Sequence, residues 1–323
     1  MCYQFSSMHL FKWIRFVMQR CAVITEIQNL ILQNKHVTLR DLFYRKIYLF
    51  KSQRGSNESV AFFTHLFEIP RWRLHVVSSP RGLVRGKMRF DILSGNRTNT
   101  ISCYTAAEPY GVPIPAFPEQ IGNIYLDKTV GYVMVVEKET IFSRILNTPI
   151  FHKLGNGILI TSKGFPDIAT RVFLSKVWRA ATHYKSHFPF FIACDMDPWG
   201  IAIAKAYCFA ESAEAMWYLP KDVYYPNYTI IHCDFSEAIS LWGLPLKEVQ
   251  DITNRDKNLL NAIQTKMVQD LLLVNTSQNN QFQSTQKQIL SLCESMTQFN
   301  KRFELDAIQD IIGFFSCFIG CWI

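Results

Sequence analysis

The sequence lacks the marks of several common protein classes. It contains no Cys-x-x-Cys pair, and its nine cysteines are scattered without a matching set of histidines. We therefore expect no structural zinc, and reduced thiols in a cytosolic or nuclear protein fit best. No apolar run reaches the roughly 20 residues that a membrane-spanning helix needs, so no membrane partner is expected.

Several nucleotide-binding and hydrolase motifs are missing as well. There is no Walker A loop, no dinucleotide-binding glycine fingerprint and no Gly-x-Ser-x-Gly nucleophile turn. An EF-hand starting at Asp195 would need a glutamate where Ala206 stands. The sequence therefore carries no recognisable ATP-binding motif.

What is present is a basic chain with enough apolar residues for a core. Its 323 residues can form one large domain or two smaller ones, and 49% of them are hydrophobic. The formal net charge of +8 favours an anionic partner, nucleic acid first.

One apolar run ends in two aspartates. The pattern predicts a strand at Phe190–Ile192 that is buried on both faces, with Asp195 and Asp197 at its carboxyl end. Side chains two residues apart in an extended segment point the same way, so both carboxylates could hold one Mg²⁺ ion. The alternative is that the aspartates only cap the next helix.

Two further predicted strands precede this one. Tyr132–Val136 ends in Glu137, and Ile158–Ile160 leads to Lys163. Because strands and helix patterns alternate here, we predict a parallel α/β domain over residues 128–323. Its carboxyl edge would gather three acids and a lysine, which weakens the capping alternative.

The N-terminal part carries helix patterns. Thr38 is a fair N-cap for a helix on which Arg40 and Tyr44 share one face. A tyrosine beside a fixed cation could have its phenolate favoured. The alternative is an ordinary core or surface tyrosine.

Basic and apolar residues then alternate in two stretches, 71–76 and 85–90. This pattern predicts a hairpin with a cationic face, and helices followed by such a hairpin indicate a winged-helix DNA-binding domain over residues 1–92. The alternative is that the basic residues only form the solvent-exposed face of a strand.

Four prolines between residues 109 and 118 deny that segment a helix, so residues 93–127 are predicted to be a linker.

Short motifs along the chain occur in the order found in one known family. They are Arg40–Tyr44, Ser79–Gly86, Val136–Lys138, Lys163–Asp167 with Thr170-Arg171, and Asp195–Gly200, with a weaker echo at Thr253–Asp256. On these motifs the chain resembles the meiotic DNA double-strand-break transesterases, eukaryotic relatives of the topoisomerase VI A protein. Two positions depart from the family pattern: Trp199 stands where His or Tyr is frequent, and Ser162 replaces a usual Gly.

The resemblance implies a winged-helix domain followed by a Toprim parallel α/β domain. It implies that Tyr44 is the nucleophile and Arg40 its helper, and that Glu137, Asp195 and Asp197 hold Mg²⁺. It also implies DNA contacts from the basic and aromatic residues of these motifs. With the cationic strand, that set is Arg81, Arg85, Lys87, Arg89, Lys163, Phe165 and Arg171.

The implied activity is cleavage of both DNA strands in meiotic recombination through a 5′-phosphotyrosyl intermediate. The implied partners are double-stranded DNA, a second copy of the chain that shares the active sites, and a separate topoisomerase VI B-like protein, in the nucleus on chromosomes. Competing hypotheses are a non-catalytic winged-helix scaffold and a Toprim nuclease or primase without a tyrosine nucleophile. A third hypothesis is a metal-dependent phosphate hydrolase, which would leave the winged-helix unit without a role.

Overall fold

The structure is a computed structural model that describes residues 7–77, 79–104, 110–148, 156–183, 188–209, 228–273 and 280–320. Over these residues the chain forms two compact units, which divide between Ser79 and Pro80. Within the described ranges, no helix is long and apolar enough to cross a membrane.

The first unit is mainly helical. Its helices are α1 (Ser7–Leu32), α2 (Leu39–Arg45) and α3 (Gln53–Phe67), and two short strands, β1 (Val37–Thr38) and β2 (Val76–Val77), pair in parallel. The core includes Val23 and Ile27 of α1, Leu42 of α2 and Val60 of α3. The predicted cap is confirmed, since the Thr38 hydroxyl accepts the Asp41 N–H at 3.0 Å.

The predicted basic hairpin is wrong. Residues Arg71–Leu74 form a 3₁₀ turn rather than a strand, and β2 pairs with β1. The second stretch, residues 85–90, lies in the other unit. Alternation of basic and apolar residues indicates which face of a strand is buried, but it does not specify the pairing partner.

The second unit is a mixed α/β structure. Its strands are β3 (Leu83–Gly86), β4 (Met88–Ser94), β5 (Arg97–Ser102), β6 (Val112–Pro113), β7 (Ile121–Leu126), β8 (Val133–Val136), β9 (Ile158–Thr161), β10 (Phe190–Ala193), β11 (Tyr228–Ile231), β12 (Gln250–Asp251) and β13 (Lys301–Arg302). In the main sheet, β11, β10, β8 and β9 lie side by side in parallel, and antiparallel β3 and β6 extend the sheet beyond β9. The predicted parallel sheet is confirmed.

Helices cover both faces of this sheet. They are α4 (Glu139–Leu146), α5 (Ile168–Thr182), α6 (Pro198–Cys208), α7 (Phe235–Ser240), α8 (Asn254–Leu273), α9 (Asn280–Phe299) and α10 (Ile311–Gly320). Val133 and Val135 of β8 lie in one apolar core with α5, α6, α8 and α9. Met134 and Val136 lie in a second core with α4, α7 and α10. Alternate residues of one strand thus pack into the cores on opposite faces of the sheet. Because both faces are buried, the strands are apolar throughout.

The predicted linker over residues 93–127 is also wrong. This region supplies β5 and β7, which pair with β4 in an antiparallel three-stranded sheet. That sheet packs on α5, where the rings of Phe90 and Phe173 lie 5.2 Å apart. Pro113 stands on the edge strand β6, where its missing N–H costs no sheet hydrogen bond. The boundary between the units therefore falls near Ser79 rather than at residue 92.

Candidate active site

Two acids meet where adjacent parallel strands end. Glu137 follows β8 and Asp195 follows β10, and the register aligns Val136 with Ala193. The Glu137 N–H donates to the Ala193 carbonyl at 3.0 Å, and the Asp195 N–H donates to Glu137 Oε2 at 3.0 Å. The sheet therefore joins two of the predicted metal ligands through a direct hydrogen bond.

Asp197 has a second role as a helix cap. Its Oδ1 accepts the Gly200 N–H at 2.6 Å at the start of α6, so the capping interpretation is also correct for this residue. Gly200 is required at this position because a Cβ there would lie 2.1 Å from the Asp195 carbonyl oxygen. The turn from β10 into α6 is thus packed tightly enough to fix both aspartates.

Burial makes all three acids harder to ionise. Burial, helped by the charges of Asp195 and Asp197, raises the pKa of Glu137 to about 7. Burial likewise raises the pKa of Asp195, although Lys138 opposes it, and the pKa of Asp197. Carboxylates gathered in this way are stabilised when a cation neutralises them.

Lys138 supplies one such cation. Its Nζ lies 2.9 Å from Asp195 Oδ2, 2.7 Å from Glu304 Oε2 and 3.1 Å from Asp306 Oδ2. The other oxygen of Asp195 accepts the Leu305 N–H at 2.9 Å. The segment Glu304–Asp306 therefore holds both Asp195 and its lysine.

Sequence reasoning missed this segment. The pattern acid-Leu-acid at Glu304–Asp306 is the only local signal, and the contact with Asp195 spans 110 positions of the chain. It also missed Arg302, whose Nη1 lies 3.2 Å from Asp256 Oδ2 and whose charge acts on Asp197. Asp256 belongs to the weak echo Thr253–Asp256, and it accepts the Thr253 N–H at the start of α8 at 3.0 Å.

The donor set fits Mg²⁺ in chemistry. Glu137, Asp195 and Asp197 offer the hard carboxylate oxygens that Mg²⁺ prefers, and burial raises the pKa of each of them. Among the described residues, however, no group of three acids, histidines or cysteines is gathered in a metal-holding geometry. Both oxygens of Asp195 have partners, one in the Lys138 ammonium and the other in the Leu305 N–H.

The loop after β9 is tied to Glu137. The Gly164 N–H donates to the Glu137 carbonyl at 2.9 Å, and the Lys163 N–H donates to the Thr161 hydroxyl at 3.1 Å. Lys163 adopts a left-handed φ of 57° and pairs with Glu139 at 2.9 Å, while Phe165 is 45% exposed. The structure thus places the loop that carries Lys163 and Phe165 beside the acids.

Arg81 and Arg171 approach the same loop through Asp167. Asp167 accepts the Arg81 N–H at 3.3 Å, and its other oxygen accepts the Thr170 N–H at 2.7 Å as the N-cap of α5. Arg171 follows on α5 and donates its own N–H to the Asp167 carbonyl. Two of the family motifs, the one that carries Arg81 and the one that carries Lys163 and Arg171, therefore meet at one turn.

The cationic strand lies on other elements. Arg85 stands on β3 in the main sheet, whereas Lys87 lies between β3 and β4 and Arg89 lies on β4. Lys87 Nζ lies 5.5 Å from the ring centre of Tyr104, and Arg89 Cζ lies 6.0 Å from that of Tyr125. These two cations therefore line a surface with aromatic rings rather than a wing of the first unit.

Tyr44 lies in the first unit near the end of α2. Its side chain is 54% exposed, and Arg40 Cζ lies 5.9 Å from the centre of its ring. One turn of helix thus presents the predicted nucleophile and its helper on the same face, as the spacing indicates. The end of α2 is held to α1 by Glu26, which pairs with Arg45 at 2.9 Å and with Lys46 at 3.3 Å.

Comparison with known families decides where this arrangement belongs. A family model for the Toprim domain of the topoisomerase 6 A protein and Spo11 matches residues 132–317, more than half of the chain. The chain belongs to this family. A second model, described as "Type IIB DNA topoisomerase", matches residues 15–76. The acids Glu137, Asp195 and Asp197 therefore lie in the Toprim domain of a topoisomerase 6A/Spo11 protein.

Curated relatives agree with this assignment. The meiotic recombination protein SPO11-1 of Arabidopsis thaliana is 29% identical over 75% of this chain and 62% of its own length. Human SPO11 is 31% identical over 58% of this chain and 45% of its own length. The A component of DNA topoisomerase 6 from Arabidopsis thaliana is 29% identical over 57% of this chain and 40% of its own length. The chain thus spans between about two fifths and three fifths of these relatives.

Proposed function

We propose that this chain makes DNA double-strand breaks in meiotic recombination by transesterification. The observation that carries the proposal is the hydrogen bond between Glu137 and Asp195 at the strand ends of a Toprim domain. The names of the relatives, which include meiotic recombination proteins and a DNA topoisomerase component, support the substrate and the process. The nucleus, and chromosomes within it, are the corresponding location.

The bond-making residue in this proposal is Tyr44. Its hydroxyl oxygen attacks a backbone phosphorus, the bond from phosphorus to the 3′ oxygen breaks, and a 5′-phosphotyrosyl linkage forms. The tyrosine loses its proton, and the leaving 3′ oxygen gains one. Exposure of the Tyr44 ring lets a DNA strand reach it. Arg40, 5.9 Å from the ring centre, stabilises the negative charge on the tyrosinate or the phosphate.

The acids of the Toprim domain bind and orient the scissile strand. When bound at Glu137, Asp195 and Asp197, Mg²⁺ would neutralise phosphate charge and help to position the DNA. Lys163 and Phe165 lie on the neighbouring loop, and the backbone N–H groups of Arg81 and Arg171 bond to Asp167 at its end, which supports the proposal that these residues contact the same strand. Lys87 and Arg89, with Arg85 nearby in sequence, provide cations for phosphates farther along the duplex.

The first unit is proposed to be the winged-helix DNA-binding domain. Its α2 and α3 pack around Leu42 and Val60, and α2 carries Tyr44 on an exposed face. Two cuts need two tyrosines, so we propose a homodimer in which Tyr44 of one protomer serves the acids of the other. A separate topoisomerase VI B-like protein completes the assembly.

Covalent DNA adducts test this function. Tagged chain is recovered from cells in meiosis, and peptides that carry nucleotides are identified by mass spectrometry. We expect a nucleotide on the peptide containing Tyr44, and loss of adducts in Tyr44→Phe and Asp195→Asn. Tyr48→Phe is the matched control, since Tyr48 is 76% exposed in the same region.

Other outcomes separate the competing functions. If the Tyr44→Phe variant formed adducts at the wild-type level, Tyr44 would not be the nucleophile. Cut DNA ends without attached protein would indicate a Toprim nuclease. DNA binding without cutting would indicate a scaffold.

A further inference from the structure

Lys138 is not explained by the proposed chemistry. Its side chain is only 24% exposed and contacts three carboxylates, of which Asp195 is 7% exposed. A lysine held inside an acidic cluster loses hydration and rotamer freedom, so its position indicates a specific role. The chain places it directly after Glu137, at the N-terminus of α4.

The three carboxylates that contact Lys138 are of two kinds. Asp195 is a candidate metal ligand, and it lies at the strand ends. Glu304 and Asp306 flank Leu305 in a separate segment, and they are 64% and 35% exposed. The Thr140 hydroxyl also donates to Asp306 at 2.9 Å, which holds that acid beside the lysine.

Lys138 and a divalent cation would compete for the same carboxylate oxygen. Asp195 Oδ1 is taken by the Leu305 N–H at 2.9 Å, and Oδ2 is taken by Lys138 Nζ at 2.9 Å. A metal ion at Asp195 would face a positive ammonium at contact distance, which is repulsive at low local dielectric. The ammonium can leave Oδ2 without losing its charge compensation, since Glu304 and Asp306 already contact it.

We propose that Lys138 is an internal counter-ion that is exchanged for the metal. Lys138 neutralises Asp195, and binding of a divalent cation at Asp195 would shift the ammonium fully to Glu304 and Asp306. Lys138 is therefore a positioning residue that keeps Asp195 oriented and sets the affinity for the cation. This inference rests on the proposed metal site at Glu137, Asp195 and Asp197.

Magnesium affinity of the full chain without DNA tests the exchange, measured by isothermal titration calorimetry. Lys138→Met should bind Mg²⁺ about tenfold more tightly, the size of a typical coupling between contacting groups. Glu304→Gln should weaken binding about threefold, because the ammonium then has one acceptor fewer when it leaves Asp195. Lys163→Met is the matched control: Lys163 also carries one charge at this sheet edge, but it pairs with Glu139.

The double variant Lys138→Met/Glu304→Gln separates exchange from general electrostatics. If Glu304 acts through the lysine, its substitution has no effect once Lys138 is gone, and the double variant binds like Lys138→Met. If Glu304→Gln weakens binding equally in both backgrounds, or Lys163→Met tightens binding as much as Lys138→Met, the exchange is refuted. Glu304 is exposed, so Glu304→Gln remains a valid test if Lys138→Met does not fold: unchanged affinity would contradict the proposal.

Failure of the underlying metal site gives a different result. Glu137→Gln and Asp195→Asn should both lose Mg²⁺ binding. If neither changes the affinity of the wild-type chain, the metal ligands are wrong and the exchange has no site on which to act. If both lose binding but Lys138→Met behaves like wild type, only the exchange is wrong.

Discussion

The backbone N–H of Asp195 donates to the carboxylate of Glu137 at 3.0 Å, across two adjacent parallel strands. The bond fixes the distance between two acids that lie 58 positions apart in the sequence. It also means that Glu137 is oriented by the backbone rather than by a mobile side chain. A change at either strand end is therefore expected to affect both acids.

The first prediction concerns the pH dependence of stability. Folded Glu137 keeps its proton up to a pKa of about 7, whereas an unperturbed glutamate has a pKa of 4.5. Between these values the folded state binds more protons, so the free energy of unfolding falls as pH rises, by up to about 3 kcal/mol for this group. Urea unfolding in EDTA at pH 5 and pH 8 measures the change. Asp195 and Asp197 contribute with the same sign.

Glu137→Gln is the control for this prediction. The variant cannot ionise at this position, so its unfolding free energy should change less between the two pH values. An identical slope in the variant and the wild type would show that Glu137 does not titrate in this range. Adding Mg²⁺ at pH 8 should restore stability to the wild-type chain and not to the variant.

The second prediction concerns Gly200. A methyl group there would lie 2.1 Å from the Asp195 carbonyl oxygen, and backbone atoms cannot move aside cheaply. Gly200→Ala should therefore lower the free energy of unfolding by about 1–3 kcal/mol. Gly320→Ala is the matched control, because nothing lies within 4 Å of the added carbon. Equal stability of the two variants would contradict the tight turn.

The parallel sheet and the acids could be predicted because their signals are local. Each strand is a short apolar run followed closely by its acid, so both acids could be assigned to one edge of the sheet. That Glu137 lies beside Asp195 follows from the pairing of β8 with β10, which the sequence pattern did not specify. The pairing of residues 85–90 could not be predicted in this way, since it depends on partners far along the chain. The same holds for Glu304, which reaches Lys138 across 166 positions.

Proline was also misread for a physical reason. Several prolines in a short segment exclude a helix, but they do not exclude strands between them. Pro113 lies on the edge strand β6, and Pro118 begins a 3₁₀ turn that leads into β7. The high proline content was sound evidence against a helix in this segment. The linker and the domain boundary that were inferred from it were wrong.

The third prediction concerns the helix that carries Tyr44. The Thr38 hydroxyl accepts the Asp41 N–H at 3.0 Å and so caps α2. Thr38→Ala should destabilise the first unit by about 1 kcal/mol, and Thr38→Ser should retain the cap. Thermal unfolding of the full chain measures both. Thr25→Ala, at an exposed position within α1, should change stability little, and a loss equal to that of Thr38→Ala would argue against the cap.

The last prediction separates the two DNA contacts of the loop after β9. Lys163 is expected to contact a phosphate, so Lys163→Ala should weaken DNA binding and reduce the slope of log affinity against log salt by about one. Phe165 is 45% exposed and uncharged, so Phe165→Ala should weaken binding without changing that slope. Fluorescence anisotropy with a labelled duplex at several salt concentrations measures both effects. Leu246→Ala is the control at another exposed apolar position, 70% exposed, and should bind like the wild type. If Phe165→Ala changed the salt slope as much as Lys163→Ala, the loop would act through the placement of its lysine, and the aromatic ring would not contact DNA itself.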